Sequence, residues 1–201
     1  MEARGSTPLV VDAAWLSDHL EDPRLVLLHI GDAEKYRAHH IPGARHLRLD
    51  EISVSDHSGQ GLMLEMPPAD ELRRRLEAIG ISNDSRVVVY HGEDWISPAT
   101  RAIFTLDYAG LGDRGGLLDG GMAAWTRAGH EVTNVVPPPP QKGTLSPLAL
   151  RPIVATAAEV RASLGKPGVA IIDARDQVSY EGTEVADPPI TSTAAATSRA
   201  R

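Results

Sequence analysis

A short polar stretch combines the residue types and the position that binding or catalysis would need: His91-Gly92-Glu93-Asp94-Trp95-Ile96. It follows the apolar run Val87–Tyr90 and precedes Ser97-Pro98, which predict an N-cap followed by proline at the first helical position. In α/β proteins, a loop between a buried parallel strand and a helix directs its amides towards anions. We therefore predict that residues 91–96 form an anion-binding loop.

Two interpretations of His91 stay open. A histidine at the head of a helix could act as a general base. We favour the simpler interpretation, in which the histidine occupies this position and does no chemistry. The chain contains no cysteine, which excludes disulfides, thiolate metal ligands and every thiol nucleophile.

Three further histidines, His39, His40 and His46, raise the question of a metal site. Adjacent histidines in a chain point to different sides. In addition, no aspartate or glutamate recurs with them at the spacing of metal ligands. We therefore predict that these histidines do not hold a metal ion.

The position of this loop depends on the strands and helices around it. Strand and helix patterns alternate through the first 136 residues. Apolar runs predict strands, and apolar residues at helical spacing between capping signals predict helices. This alternation is typical of βαβ units, so we predict an α/β fold with a mostly parallel sheet flanked by helices. The predicted strands are Leu25–Ile30, Val87–Tyr90 and Gly116–Leu118, and helices are predicted to begin near Asp12, Tyr36, Pro67, Pro98 and Met122.

Composition and charge exclude several classes of partner. The 201 residues carry a formal net charge of −7, which argues against binding to a nucleic-acid backbone. The N-terminus has no apolar core of the secretory kind, and apolar runs such as Leu25–Leu28 are far too short to span a bilayer. The sequence therefore predicts a cytoplasmic protein with neither a nucleic-acid nor a membrane partner, and it leaves the oligomeric state open.

A repeat follows a proline-rich stretch, Pro137–Pro140, which is typical of a stiff linker. With a constant offset of 144 residues, Val11–Leu20 aligns with Ala155–Leu164. The same offset aligns Leu25–Tyr36 with Val169–Tyr180 without a gap. A constant offset through helix and strand patterns indicates a duplicated domain.

We predict three parts: a domain at 1–136, a linker at 137–152, and an incomplete second copy at 153–201 with a disordered tail. The second copy contains a predicted helix, Thr156–Leu164, and a predicted strand, Val169–Ala174. After Tyr180 only 21 residues remain, too few to complete a domain, so this part is not expected to fold independently. Two explanations stay open: a genuinely short protein, or a shift of reading frame near Pro189.

Specific motifs occur in both halves. The first half contains Tyr36 followed by His40-Ile41-Pro42-Gly43-Ala44, and later Leu118-Asp119-Gly120-Gly121 followed by Trp125. The second half contains Asp173-Ala174-Arg175 followed by Tyr180. In this order the motifs resemble those of the tandem rhodaneses, the two-domain thiosulfate or 3-mercaptopyruvate sulfurtransferases. The resemblance covers about residues 8–133 and, in part, 153–188.

The resemblance implies chemistry in which a cysteine persulfide carries sulfane sulfur from thiosulfate or mercaptopyruvate to an acceptor, without a cofactor or a metal. In the tandem enzymes this cysteine lies in the second domain, and the first domain has a non-thiol residue at the equivalent place. That place is His91 here. The resemblance therefore implies a sulfurtransferase relative that has no catalytic residue in this chain and is inactive alone. The alternative is a noncatalytic module that binds an anion or a partner through the 91–96 loop.

Two further residues are candidates for a surface that faces another domain. Asp50 matches an acidic residue that, in mercaptopyruvate-type members of the family, faces the active site from the first domain. The histidine that accompanies it there corresponds to Leu64. Arg101 could point towards an anion from the helix after the loop or be solvated, and we favour the second. His29 and Gly31 replace an aspartate and an arginine that are usual in the family, whereas Asp173 and Arg175 are expected to form an ion pair.

Overall fold

A computed structural model of the chain describes residues 7–58, 62–92 and 95–182. The chain divides into two units. The first comprises Met1–Ser53 and Met66–Arg151, and the second comprises Val54–Glu65 and Pro152–Arg201. The sheet and the predicted anion-binding loop both belong to the first unit.

A five-stranded sheet in the order β1-β5-β4-β2-β3 forms the centre of the first unit. Its strands are β1 Val10–Val11, β2 Leu25–Ile30, β3 Arg45–Leu47, β4 Arg86–His91 and β5 Gly115–Leu118. Each pairing between neighbouring strands is parallel. The prediction of a parallel α/β sheet is therefore confirmed, and β4 is its central strand.

Both faces of β4 are buried, because its side chains alternate between two apolar layers. Val87 and Val89 pack in one layer with residues of α3 and α4, and Val88 and Tyr90 pack in the other with residues of α1 and α5. The α-helices described in the first unit are α1 Ala13–His19, α2 Ala33–Ala38, α3 Ala69–Ala78, α4 Ser97–Tyr108 and α5 Gly121–Arg127. The sheet is thus covered by helices on both faces.

The start of α4 differs from the prediction by one residue. Ser97 was predicted to cap this helix, but Ile96 is at the N-cap and Ser97 is the first helical residue. The reason is that the Ile96 carbonyl already accepts from the amides of Ala99, at 2.9 Å, and Thr100, at 3.1 Å. Pro98 lies in the first turn, where the backbone amide would have no hydrogen-bond partner within the helix, so proline is tolerated.

Helix α2 also begins earlier than predicted. The sequence placed a helical turn at Tyr36–His40, whereas the helix spans Ala33–Ala38. Asp32 caps it, since its carboxylate accepts from the amides of Glu34, at 2.8 Å, and Lys35, at 2.9 Å. Because Asp32 caps the helix four residues before Tyr36, the helix begins three residues earlier than predicted.

The residues that follow Pro137–Pro140 are attached to other parts of the first unit. We call residues 142–151 the anchored segment. The Gly143 amide donates to the Glu77 carbonyl at 2.7 Å, and the Thr144 carbonyl accepts from the Asn83 amide at 3.0 Å. Leu145 is buried in the core, with 5% of its surface exposed. The stiff linker expected from the prolines is therefore a fixed part of this unit over these residues.

Glu77 on α3 is the polar centre of this attachment. Its buried side chain accepts from the Leu145 amide at 3.1 Å and pairs with Arg73 at 2.9 Å and Lys142 at 3.5 Å. The hydrogen bond from the Leu145 amide is the largest of the effects that hold the pKa of Glu77 below its usual 4.5. Glu77 is therefore charged when the anchored segment is bound.

The second unit contains two short helices, α6 Ala157–Ser163 and α7 Gln177–Glu181. The prediction of a strand at Val169–Ala174 is wrong, because these residues have no regular secondary structure. Ile172 is 83% exposed. A parallel strand needs hydrogen-bonded neighbours, and the described residues of this unit provide none for it.

Two smaller expectations about the second half can be compared with the structure. The ion pair between Asp173 and Arg175 is confirmed, with Oδ2 and Nη2 2.6 Å apart. The tail predicted to be disordered, Pro188–Arg201, lies outside the described residues. In the described part of the chain, no helix has the length and apolar character that crossing a membrane requires.

We expect Glu77→Ala to release the anchored segment and lower the free energy of unfolding by about 1–3 kcal/mol, because the buried Leu145 amide loses its acceptor. Limited proteolysis with mass spectrometry should then show new cuts within residues 142–151. Glu71→Ala is the matched control, since the Glu71 carboxylate pairs with Arg75 on the same helix. Equal cleavage of both variants would contradict the role given to Glu77.

Acid should release the same segment. A carboxylate whose pKa is lowered by folding stabilises the fold above its unfolded pKa, and this stability is lost as the pH falls through the folded pKa. For Glu77 the loss therefore begins below about 4.5. The amide NMR signal of Leu145 should report this titration, and the titration should be absent in Glu77→Gln. A Leu145 signal that titrates alike in both proteins would contradict the assignment.

Candidate functional site

His91 lies at the carboxyl end of β4, in the middle of the sheet. It pairs with Ile30 of β2, and the next amide, that of Gly92, donates to the Ile30 carbonyl at 3.3 Å. The chain then leaves the sheet and enters α4. The strand, loop and helix therefore follow in the predicted order. Glu93 and Asp94 of the predicted loop lie outside the described residues.

The His91 ring is held between its own loop and the start of α5. Its Nδ1 lies 2.9 Å from the Gly92 carbonyl oxygen. Because a carbonyl can only accept, Nδ1 carries a hydrogen in this bond. The other ring nitrogen, Nε2, is close to Gly121, where an added Cβ would lie only 2.7 Å from it. Glycine at position 121 is therefore what makes room for the histidine.

The backbone conformation at Gly121 also favours glycine. Its φ is +53°, and Gly120 before it has a φ of +66° and forms the N-cap of α5. Such angles are rare for residues with a side chain. The two glycines turn the chain sharply between β5 and α5 beside His91. The double glycine in the sequence thus marks both a turn and a close approach.

The loop also presents apolar side chains to solvent. Trp95 is 72% exposed and Ile96 is 42% exposed. Both lie at the edge of the sheet where the parallel strands end. An exposed tryptophan of this kind is more typical of a contact surface than of a folded core.

The motif at residues 40–44 is hydrogen-bonded to the end of β4. The Ile41 amide donates to the hydroxyl oxygen of Tyr90 at 3.1 Å, one residue before His91. His40 is fully buried, and its Nδ1 donates to the Tyr36 carbonyl at 2.7 Å. Burial raises the pKa of Tyr90 well above its usual value, so the phenol stays neutral. The motif is a structural support for the end of β4.

Two of the three histidines considered as metal ligands, His40 and His46, form hydrogen bonds with the backbone. His40 binds the backbone, as described, and Nε2 of His46 lies 2.9 Å from the Gly31 carbonyl oxygen. His29 is buried, with its ring edge-to-face on Tyr90 at 5.0 Å. Within residues 7–58, 62–92 and 95–182, no group of three or more histidine, cysteine, aspartate or glutamate side chains is placed to hold a metal ion.

Asp50 and Arg101, the two residues predicted to face another domain, differ in their surroundings. Asp50 is exposed, and its carboxylate pairs with Arg48 at 2.9 Å, which lowers its pKa. Arg101 is partly buried, with Nη2 3.4 Å from the sulfur of Met66, and this burial lowers its pKa. The simply solvated arginine that we favoured from the sequence is therefore not what the structure shows.

Sequence reasoning missed the contact between His91 and Gly121 and the hydrogen bond between Tyr90 and Ile41. Each joins residues that are far apart in the chain. The motifs containing Gly121 and Ile41 were recognised, but neither pattern states which strand it touches. The double glycine was the one available signal of a close approach.

A loop at the carboxyl end of the central strand of a parallel sheet, before a helix N-terminus, is the place where α/β domains commonly bind their ligands. Residues 12–128 match the family model described as Rhodanese-like domain. The chain belongs to the rhodanese-like family. The absence of cysteine from the whole chain separates it from members that carry a thiol.

The chain is similar to two bacterial proteins that are named as sulfurtransferases. The chain is 35% identical over 202 residues to the "Probable 3-mercaptopyruvate sulfurtransferase" of Pseudomonas aeruginosa, covering 94% of this chain and 64% of that protein. It is 30% identical over 187 residues to the thiosulfate sulfurtransferase of Azotobacter vinelandii, covering 92% of this chain and 66% of that protein. The chain thus spans about two thirds of the length of these relatives.

A solved structure has the same architecture. The crystal structure of SseA from Escherichia coli, described as a 3-mercaptopyruvate sulfotransferase with the rhodanese fold, matches with a TM-score of 0.75 at 25% identity. The match covers 90% of this chain and 70% of that one. It supports the assignment of the fold along most of the sequence.

We expect Gly121→Ala to destabilise the protein and to displace the His91 ring, because the added methyl group collides with it. Gly129→Ala is the matched control: its φ of +80° is equally unsuited to alanine, but nothing lies within 4 Å of the added Cβ. The free energy of unfolding should fall by about 1–3 kcal/mol more for Gly121→Ala than for the control. Equal stabilities, with unchanged imidazole NMR signals of His91, would contradict the contact.

Proposed function

We propose that this chain is a rhodanese-like protein of the thiosulfate or 3-mercaptopyruvate sulfurtransferase type that does not transfer sulfur by itself. The observation that carries the proposal is His91 at the end of the central strand, in a chain without cysteine. The names of the relatives supply the type of reaction. The domain boundaries at 136 and 152 and the incomplete second copy belong to the same proposal.

Sulfane transfer requires a group that can both attack sulfur and hold it. With thiosulfate, a thiolate attacks the outer sulfur, the bond between the two sulfur atoms breaks, and sulfite leaves with the electron pair. The product is a persulfide, which an acceptor such as cyanide then attacks. Only cysteine supplies such a thiolate. His91 can donate or accept a hydrogen bond, but it has no sulfur to form the persulfide.

A binding role for the 91–96 loop is consistent with its position. Ile96 of this loop is the N-cap of α4, a helix of 12 residues, and small anions are stabilised at the positive end of a helix. The ligand would be a small sulfur-containing anion such as thiosulfate or mercaptopyruvate. Asp50 and Arg101 would flank this edge of the first unit.

A second candidate function is a noncatalytic module that binds a protein partner through the same loop. The exposure of Trp95, at 72%, favours it. A large aromatic side chain contributes strongly to protein interfaces when a partner buries it. The two functions differ in ligand, so a binding experiment can separate them.

The first test is an assay for thiosulfate:cyanide and mercaptopyruvate:cyanide sulfurtransferase activity with the purified full chain. We expect turnover no higher than a buffer blank, because no side chain can form the persulfide. His91→Ala should be equally inactive. Turnover by the unmodified chain that disappears in His91→Ala would contradict the proposed absence of catalysis.

The second test measures binding. Titration of the full chain with thiosulfate should produce saturable shifts of the Gly92 and Trp95 amide NMR signals. His46, whose ring is bound to the backbone, provides a reference signal that should not move. If thiosulfate leaves the loop signals unchanged, the loop is not an anion site and the protein-binding module becomes the supported alternative.

A further inference from the structure

A cleft of about 310 Å³ lies in the first unit, away from His91. Its walls include Asn83, which precedes β4, and Leu111 and Arg114, which precede β5. In a parallel sheet these positions lie at the edge where the strands begin. His91 lies at the opposite edge, and α4 runs between the two edges over its 12 residues, roughly 18 Å. The cleft is therefore separate from the predicted anion-binding loop.

The anchored segment closes one side of the cleft. Leu145, Ser146 and Leu148 of this segment all line it. Ser146 is fixed in two ways, because its amide donates to Asn83 Oδ1 at 3.0 Å and its hydroxyl accepts from Asn83 Nδ2 at 3.1 Å. The wall is thus held in place by hydrogen bonds.

Arg114 gives the cleft a positive charge. Among the described residues that line the cleft, it is the only charged one. Its Nη1 is buried and has no hydrogen-bond acceptor within the described part of the protein. Its Nε lies 3.8 Å from Asp113 Oδ1, which is beyond hydrogen-bond distance, and the Asp113 side chain is 70% exposed. The Arg114 side chain as a whole is 29% exposed, so the accessible part of its guanidinium can pair with an anion in the cleft.

Apart from Arg114, Asn83 and Ser146, the residues that line the cleft are apolar. Leu111 and Leu145 are 7% and 5% exposed, and Ala109 is 1% exposed. The volume is at the lower end of the range of ligand pockets, so a small molecule fits. A single arginine beside an aspartate favours a ligand with one negative charge over a doubly charged phosphate.

We propose that this cleft binds a small organic carboxylate on a short branched hydrocarbon chain. The carboxylate pairs with Arg114, and the hydrocarbon contacts Leu111, Leu145 and Leu148. Such a ligand touches both the anchored segment and the body of the first unit. Its binding therefore holds the segment in place. The proposal does not depend on the function proposed for the His91 loop.

The test is a titration of the full chain with 4-methylpentanoate, followed by amide NMR. We expect saturable shifts of the signals of Asn83, Leu111, Ser146 and Leu148, and slower proteolysis within residues 142–151. The uncharged amide of the same acid should bind at least about tenfold more weakly, since it lacks the charge that Arg114 pairs with.

Substitutions at Arg114 test whether its guanidinium pairs with the carboxylate of the ligand. Arg114→Gln should weaken binding of 4-methylpentanoate about tenfold or more, whereas Arg74→Gln should leave it unchanged because Arg74 is exposed on α3 and does not line the cleft. Arg114→Lys, which keeps the charge but loses the planar fork, should be intermediate. Equal weakening by the Arg114 and Arg74 variants, or shifts confined to Gly92 and Trp95, would overturn the proposal. Absence of any shift at the cleft signals up to millimolar ligand would also overturn it.

Discussion

The burial of β4 on both faces is the constraint on which the rest of the first unit depends. Val88, Val89 and Tyr90 have no exposed surface, and the strand is hydrogen-bonded to β2 and β5 on its two sides. A strand in this environment can shift only if both apolar layers shift with it. Its last residue, His91, therefore has a fixed position, and the loop after it begins from a rigid point.

The support of His91 is independent of the chemistry that this position could perform. Ile41 binds the Tyr90 hydroxyl, Gly121 makes room for the imidazole, and Gly92 is tied to β2. None of these contacts needs a thiol. This explains in physical terms how the architecture of a sulfurtransferase-type domain can be kept in a chain without cysteine. The fold positions a site, and the residue at position 91 decides which chemistry is open to it.

Opposite edges of the same sheet have different properties. The edge where the strands end presents the His91 loop with an exposed tryptophan, whereas the edge where they begin is crossed by the anchored segment. Glu77 fixes that segment with a buried charge bound to Leu145 and Lys142. The residues that follow Pro137–Pro140 thus serve here as part of a folded unit.

The sequence by itself determined the parallel α/β architecture, the central position of Val87–Tyr90 and the family, because apolar periodicity and local motifs are short-range signals. It misplaced the start of α2 by three residues and that of α4 by one. The cap at Asp32 and the hydrogen bonds to the Ile96 carbonyl determine where these two helices begin. The sequence also predicted a strand at Val169–Ala174, although the described residues of the second unit offer this apolar run no neighbouring strand. Only the tertiary structure decided that His91 lies against Gly121, that residues 142–151 attach to Glu77, and that Arg114 lines a cleft. These contacts join residues distant in the chain, and no local pattern encodes which distant surface a side chain will meet.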